Sequence, residues 1–413
     1  YTHERSCIEN STTAGVVHIP MIVGVPTASG NETRVAVVPS VAEDLVEDGH
    51  EVLIEAGAGE TAGFADEDYD DAGCDVLDDR DAVFDGADVI LEVEALGAIE
   101  GSDPGGYREN QTVIGLLGPY DVSDEVLETL AERQVSAFAL ELIPRISRAQ
   151  SMDALSSMAS IGGYKAVLVA AERLPKLFPL EMTAAGTVRP AEVFVIGAGV
   201  AGLKAIATAE RLGASVKGYD IRLEVKQEVE SLGADFVELD LETEGSGDDE
   251  GYAVEMGEEF YEQQRKELSR VVPESDVVIT TAAIPGAPAP ELVSTEMVEG
   301  MDDGSVIVDL SAPTGGNCEP TVAGETIEHA GVTIFGPTNL PATVPHTASQ
   351  LFANNLYNFL DHLLDDGELV IDTDDEIVDS TLLTHDGTIR RPHEDGGETD
   401  DEDEEPVEDE ADA

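Results

Sequence analysis

Cations are scarce in this sequence. Only 21 residues are Lys or Arg, against 88 Asp and Glu, and the formal net charge is −67. Nucleic acid and anionic lipid surfaces are both recognised through clustered Lys and Arg, so neither is an expected partner. The acidic residues run through every segment and are not gathered into one patch facing a basic partner. They read as a solvated coat for concentrated salt, where screening removes the self-repulsion that opposes compaction. A halophilic source is the expectation.

Cysteine is as sparse. Cys7, Cys74 and Cys318 are an odd, widely spaced set without a CxxC, which excludes a disulfide framework and a cysteine zinc site and fits a reducing cytoplasm. The eight His residues are scattered, with no HExxH, so no metal is expected. No apolar run reads as approaching the roughly 20 residues that cross a bilayer, and a soluble chain is expected. The first twenty residues, YTHERSCIENSTTAGVVHIP, lack a signal-peptide pattern and precede MIVGVP; residues 1–20 are expected to be disordered or a misplaced start before Met21.

What is present is an α/β rhythm. A chain of 413 residues with 42% apolar content can bury a large core and has the length of two domains. MIVGVP, EVLIEAG, DVILEVEA, TVIGLLGP and VSAFALELI alternate with amphipathic stretches, and EVFVIGAG, SVKGYD, ADFVELD, DVVITTAA, SVIVDLSA and VTIFGP repeat the pattern later. Such alternation marks βαβ units on parallel sheets. The fold class expected is α/β, with two doubly wound, Rossmann-like domains and a cleft between them. Residues 21–143 form the first domain. A loop and long helix over 144–189 connect it to a dinucleotide-binding domain at 190–340. Residues 349–392, a helix and a hairpin around Asp386-Gly387, are too small a unit to stand alone and are expected to return to the first domain. Residues 393–413 are an acidic block expected to be disordered.

Gly197, Gly199 and Gly202 follow the strand EVFVI and open the stretch LKAIATAERLG. In that context GxGxxG is a dinucleotide fingerprint: a tight turn, a close backbone approach to pyrophosphate, and tight helix–strand packing at a helix N-terminus. Asp220, past the next strand, is placed to accept from adenine ribose hydroxyls and to repel a 2′-phosphate, which favours NAD(H) over NADP(H). Arg222 nearby opposes that preference. Arg145, Gln150, Ser151, Asp153 and Ser156 in PRISRAQSMDALSSM offer a polar cluster for orienting an amide-bearing ring. The plainer reading is that Ser151 or Asp153 caps the helix that follows, with Arg145 and Arg148 solvated.

The stretch PRISRAQSMDALSSM, the fingerprint VIGAGVAGL, the run TTAAIPGAPAPELV and the segment DLSAPTGGNCE together resemble the NAD(H)-binding component of the proton-translocating transhydrogenases. Alanine dehydrogenases share that fold. The resemblance spans about Met21 to Pro392. It implies a dimer with NAD(H) in the inter-domain cleft and direct hydride transfer to NADP+ on a separate partner subunit, with a membrane-spanning subunit coupling the exchange to proton movement. The chain would then be cytoplasmic and docked peripherally on the membrane. The resemblance also implies that Arg145, Gln150, Asp153 and Ser156 hold the nicotinamide, with Gln150 toward the partner nucleotide, and that Tyr252 in DEGYAVEMGEEF closes over it. The expected cofactor contacts are Gly197, Gly199, Val200, Ala201, Gly202, Asp220, Ile221, Arg222, Tyr252, Thr281 and Ala282.

Two other readings stand beside it. Alanine dehydrogenases present a Lys in the strand matching DVILEVEAL and a His after the strand matching TVIGLLGPYD. Here those regions carry Glu92 and Glu94, and Gly118, Pro119 and Tyr120, which leaves reductive amination without its cation and its acid–base group. Arg34 matches a residue of both groups and reads as a structural partner of nearby acids. A non-catalytic NAD(H) sensor would need only the dinucleotide grip.

Overall fold

Near-continuous apolar runs such as Val193 to Ile196 belong to strands covered on both faces, and the chain uses them in the middle of two parallel sheets. The computed structural model describes residues 20–99, 104–239, 258–365 and 367–391. The N-terminal stretch before Pro20, the acidic tail 393–413 and Tyr252 lie outside the described residues.

The first sheet uses β1 (Ile22–Val25), β2 (Glu51–Glu55), β3 (Asp75–Leu77), β4 (Val89–Glu94), β5 (Thr112–Leu116) and β6 (Ser136–Ala139). Helices α1 (Pro39–Glu47), α2 (Asp66–Asp71), α3 (Arg80–Gly86) and α4 (Asp124–Glu132) join them. Then come α5 (Ala154–Arg173) and a small hairpin, β7 (Glu181–Thr183) and β8 (Gly186–Val188). The second sheet is built from β9 (Glu192–Ile196), β10 (Ser215–Tyr219), β11 (Asp235–Phe236), β12 (Val277–Thr280), β13 (Val306–Asp309), β14 (Thr326–His329) and β15 (Val332–Phe335). Its helices are α6 (Val200–Arg211), α7 (Lys226–Ser231), α8 (Glu258–Leu268) and α9 (Thr295–Glu299). The chain ends with α10 (Pro345–His362), the pair β16 (Leu364–Asp365) and β17 (Glu368–Leu369), α11 (Glu376–Thr381), β18 (Leu382–His385) and β19 (Thr388–Ile389).

Both sheets repeat one order. The first runs β19-β18-β6-β5-β4-β1-β2-β3 and the second β11-β10-β9-β12-β13-β15-β14. Each therefore has a parallel core in which the order reverses, at β1/β4 and at β9/β12, with antiparallel strands at one edge. This is the α/β doubly wound class expected from the sequence. The segment after α10 returns to the first sheet: β18 lies antiparallel to β6 and turns into β19 through Asp386 and Gly387, both with positive φ. That is the geometry an Asp-Gly hairpin turn requires.

Helix α5 joins the two units. Ala154, Met158 and Ile161 belong to the core under the first sheet, while Ala166, Val167 and Ala170 belong to the core under the second. A helix that feeds two cores is apolar on more than one face. This corrects the expectation that no segment matches a membrane span: α5 is long and apolar enough by composition to do so, and in the fold those faces pack on protein. At Gly163 a Cβ would sit 2.0 Å from the Ala201 carbonyl oxygen, so only glycine lets α5 cross α6 this closely.

Candidate functional site

The ends of β9, β10, β12 and β13 open onto one cavity of about 410 Å3, roofed by Leu155, Met158, Ala159 and Gly162 of α5 and closed by Pro337, Thr338, Leu340 and Pro341. It lies at the β9/β12 reversal, the crevice where doubly wound sheets take ligands.

The glycine turn is built by necessity. Gly197 has φ +95, and a Cβ there would lie 2.5 Å from Thr281 Oγ1; at Gly202 a Cβ would lie 1.8 Å from the Gly197 carbonyl oxygen. Gly199 differs, because no atom of the described residues stands within 4 Å of its Cβ position and it lines the cavity. It is also the N-cap of α6, which begins without a side-chain cap. Open space in front of backbone N–H groups at a helix start is the cradle a pyrophosphate fits.

Asp220 is 6% exposed. Its Oδ2 accepts from Ala198 N at 2.7 Å, and its Oδ1 accepts from Arg222 N at 2.9 Å and Arg222 Nε at 3.1 Å. The carboxylate thus steadies the glycine turn and holds Arg222 beside it. Thr281 Oγ1 donates toward the Gly197 carbonyl at 3.1 Å, and Ala282 N donates to Asn317 Oδ1 at 3.0 Å. Asn317 Nδ2 in turn donates to the Ala282 and Pro290 carbonyls. Buried Asp309 gathers Thr280 Oγ1, Ser311 N, Cys318 N and Thr321 Oγ1, fixing the loop beyond it.

The cavity lining contains Arg145, Gly197, Gly199, Val200, Ala201, Asp220, Ile221, Arg222, Thr281 and Ala282; it does not include Gln150, Asp153, Ser156 or Gly202. Gln150 and Ser151 are exposed on the 3-10 turn Ser147–Met152. Asp153 Oδ1 accepts from Ser156 N at 2.7 Å and is the N-cap of α5. Arg148 reaches Asp375 Oδ2 at 2.6 Å, away from the cavity.

Sequence reasoning missed Gln264. It is 1% exposed, lines the cavity, and donates through Nε2 to the Tyr219 hydroxyl at 2.8 Å, while its Oε1 has no partner among the described residues. A buried orphan acceptor beside a cavity fits a donor on a ligand. Burial also pushes the Tyr219 phenol well above its usual range, so it stays neutral. Asn317 and Asp309 were missed as well. Their partners lie on other strands, and no local spacing signals them.

In the first domain, Arg34 is 2% exposed and its Nη2 reaches Glu32 Oε2 at 2.6 Å and Glu94 Oε1 at 2.9 Å. Asn339 Nδ2 bonds the same two carboxylates. Burial and the charge of Glu32 raise Glu94 above the ordinary carboxylate range. Burial works the same way on Glu32, but the bonds and charge of Arg34 outweigh it and pull Glu32 below. Among the described residues no group of three His, Cys, Asp or Glu is arranged to hold a metal ion.

Known proteins agree with this layout. The family description "Alanine dehydrogenase/PNT, N-terminal domain" matches residues 24–162, and "Alanine dehydrogenase/PNT, C-terminal domain" matches 166–392. An NAD(P) transhydrogenase subunit alpha protein of Rhodospirillum rubrum is 44% identical over 366 residues, 87% of this chain and 95% of that one. The crystal structure of transhydrogenase from Sinorhizobium meliloti superposes with a TM-score of 0.80 at 41% identity, over 89% of this chain and 100% of that one. Alanine dehydrogenase of Mycolicibacterium smegmatis is more distant, at 30% identity over 89% of this chain and 94% of that one. The chain belongs to the alanine dehydrogenase/PNT family, and within it is more similar to these transhydrogenase proteins than to that alanine dehydrogenase.

Proposed function

We propose that this chain is the NAD(H)-binding α subunit of a proton-translocating transhydrogenase, passing hydride directly between its own NAD(H) and NADP(H) held on a separate partner subunit. One observation carries the reading: among the described residues, the ionisable groups lining the cavity are Arg145, Tyr219, Asp220, Arg222 and Tyr261, with no His, Lys, Cys or Glu. The bound dinucleotide supplies a hydride carrier, and direct transfer between two nicotinamides moves no proton at the reacting carbon. Such a site needs orientation and exclusion of water more than a general acid or base.

The α6 N-terminus and the Gly199 backbone take the pyrophosphate. Asp220, with its Arg222 partner, takes the adenine ribose, and the Oε1 of Gln264 accepts a donor at that same end. Arg145 reaches in from the connector toward the nicotinamide half, joined by Asp153 and Ser156. Gln150, exposed on the turn beside it, faces the partner's nucleotide, and Tyr252 closes over the site.

The exposed hairpin β7–β8, where Met182 is 71% and Val188 46% exposed near Leu177 and Leu180, supports a homodimer formed through this face. Separate NADP(H)-binding and membrane-spanning subunits would hold the chain at the cytoplasmic face of the membrane. The acidic excess supports a halophilic setting.

Amino-acid dehydrogenation is disfavoured because Arg34, the buried cation of the first domain's cleft edge, is already paired with Glu32 and Glu94. The test is enzymatic and binding together. In concentrated KCl the purified chain should bind NADH far more tightly than NADPH and fail to oxidise NADH with pyruvate and ammonium. Equal affinity contradicts the role of Asp220, and robust turnover contradicts the transhydrogenase reading.

A further inference from the structure

The two domains touch across the cleft at a point no motif marks. Tyr120 sits on the turn after β5 in the first domain, and a Cβ built on Gly286 of the second would lie 2.8 Å from its Cε1 and 2.9 Å from its Cδ1. The ring therefore rests flush on the Gly286 backbone, which has φ +69. Gly286 belongs to the turn closed by Ala287 N donating to the Ile284 carbonyl at 3.2 Å. Ala282, Ala283 and Ile284, leading into that turn, line the cofactor cavity.

Both sides of the contact are held. On the first domain, Gly118 and Gly97 are packed so closely that a Cβ on Gly118 would stand 2.3 Å from Ala98 N. Glu141 accepts from Gly118 N at 2.8 Å and Leu117 N at 3.1 Å. On the second, Asn317 grips both backbone polar groups of Ala282. An aromatic ring that is 42% exposed yet seated on glycine, between two anchored turns, contributes little as core packing. It is well placed as a stop that sets how the cavity wall stands.

We propose that Tyr120 is a positioning residue for the bound dinucleotide: from the opposite domain it braces the Ile284–Ala287 turn, so that the nicotinamide side of the cavity is completed across the cleft. The proposal rests on the cofactor reading above. In a doubly wound sheet the adenine half lies over β10 and the nicotinamide half over β12 and β13, so the brace acts on one half only.

The test uses fluorescence titration of the full chain with NADH, and competition by ADP-ribose, which lacks the nicotinamide. Tyr120→Ala should weaken NADH about five- to tenfold and leave ADP-ribose within about twofold. Gly286→Ala, which drives a methyl into the ring, should weaken NADH similarly, and the two changes combined should cost less than the product of the single effects, as expected for residues in contact. Equal loss of both ligands, or unchanged NADH affinity in Tyr120→Ala, overturns the proposal. A wild-type chain that binds neither ligand overturns the cofactor reading instead, so the two failures are distinguishable.

Discussion

At the residue scale, Asp153 and Gln150 separate what caps from what reacts. Asp153 takes the amide of Ser156 and ends the connector, so Asp153→Ala should cost about 1 kcal/mol of stability, as lost N-caps do. Gln150 is exposed and outside the cavity lining. Gln150→Ala should therefore leave melting temperature and NADH affinity unchanged while slowing hydride exchange in the reconstituted complex by about tenfold or more. Unchanged exchange would mean that Gln150 is merely solvated. The polar cluster was legible in the sequence as a set of residue types, and the division of labour within it was not. That division depends on which side chains the cap draws inward, and Gln264 shows the same limit, since its partner Tyr219 is 45 positions away.

At the element scale, the strand runs from MIVGVP to VTIFGP announced the alternation, because buried parallel strands leave continuous apolar signatures. Short edge pieces such as β3 and β14, with exposed or half-buried residues, carry no such signature and were not legible. Helix α5 was legible as a helix, but not as a shared one: its apolar residues divide between two cores, and one-face periodicity disappears when two faces are buried. Its crossing with α6 depends on Gly163. Gly163→Ala should lower the unfolding free energy by about 2 kcal/mol or more, since a Cβ there meets backbone and not a movable side chain. Gly162→Ala, where the Cβ position is open, should be nearly neutral or stabilising in a helix interior. Calorimetry of the two variants checks the pair, and equal effects would contradict the close-crossing account.

At the scale of the whole molecule, two sheets with the same strand order face one cleft, and the cofactor cavity opens at the reversal point of the second. Near the reversal of the first, Arg34, Glu32, Glu94 and Asn339 fill the space with one another. Composition matters at this scale too. A net charge of −67 repels itself strongly at low ionic strength, where the screening length is long. Raising KCl from about 0.1 M to about 3 M, which shortens that length to a few ångströms, should therefore raise the melting temperature, and a melting temperature independent of salt would contradict the acidic-coat reading.

The central claim is that this cavity presents its hydride outward to a second nucleotide. The most direct measurement mixes the chain with a separately prepared NADP(H)-binding component and follows deuterium carried at C4 of NADH. Direct transfer predicts NADH-dependent reduction of an NADP+ analogue with the label retained on the product; label lost to solvent, or no reduction at all, contradicts it.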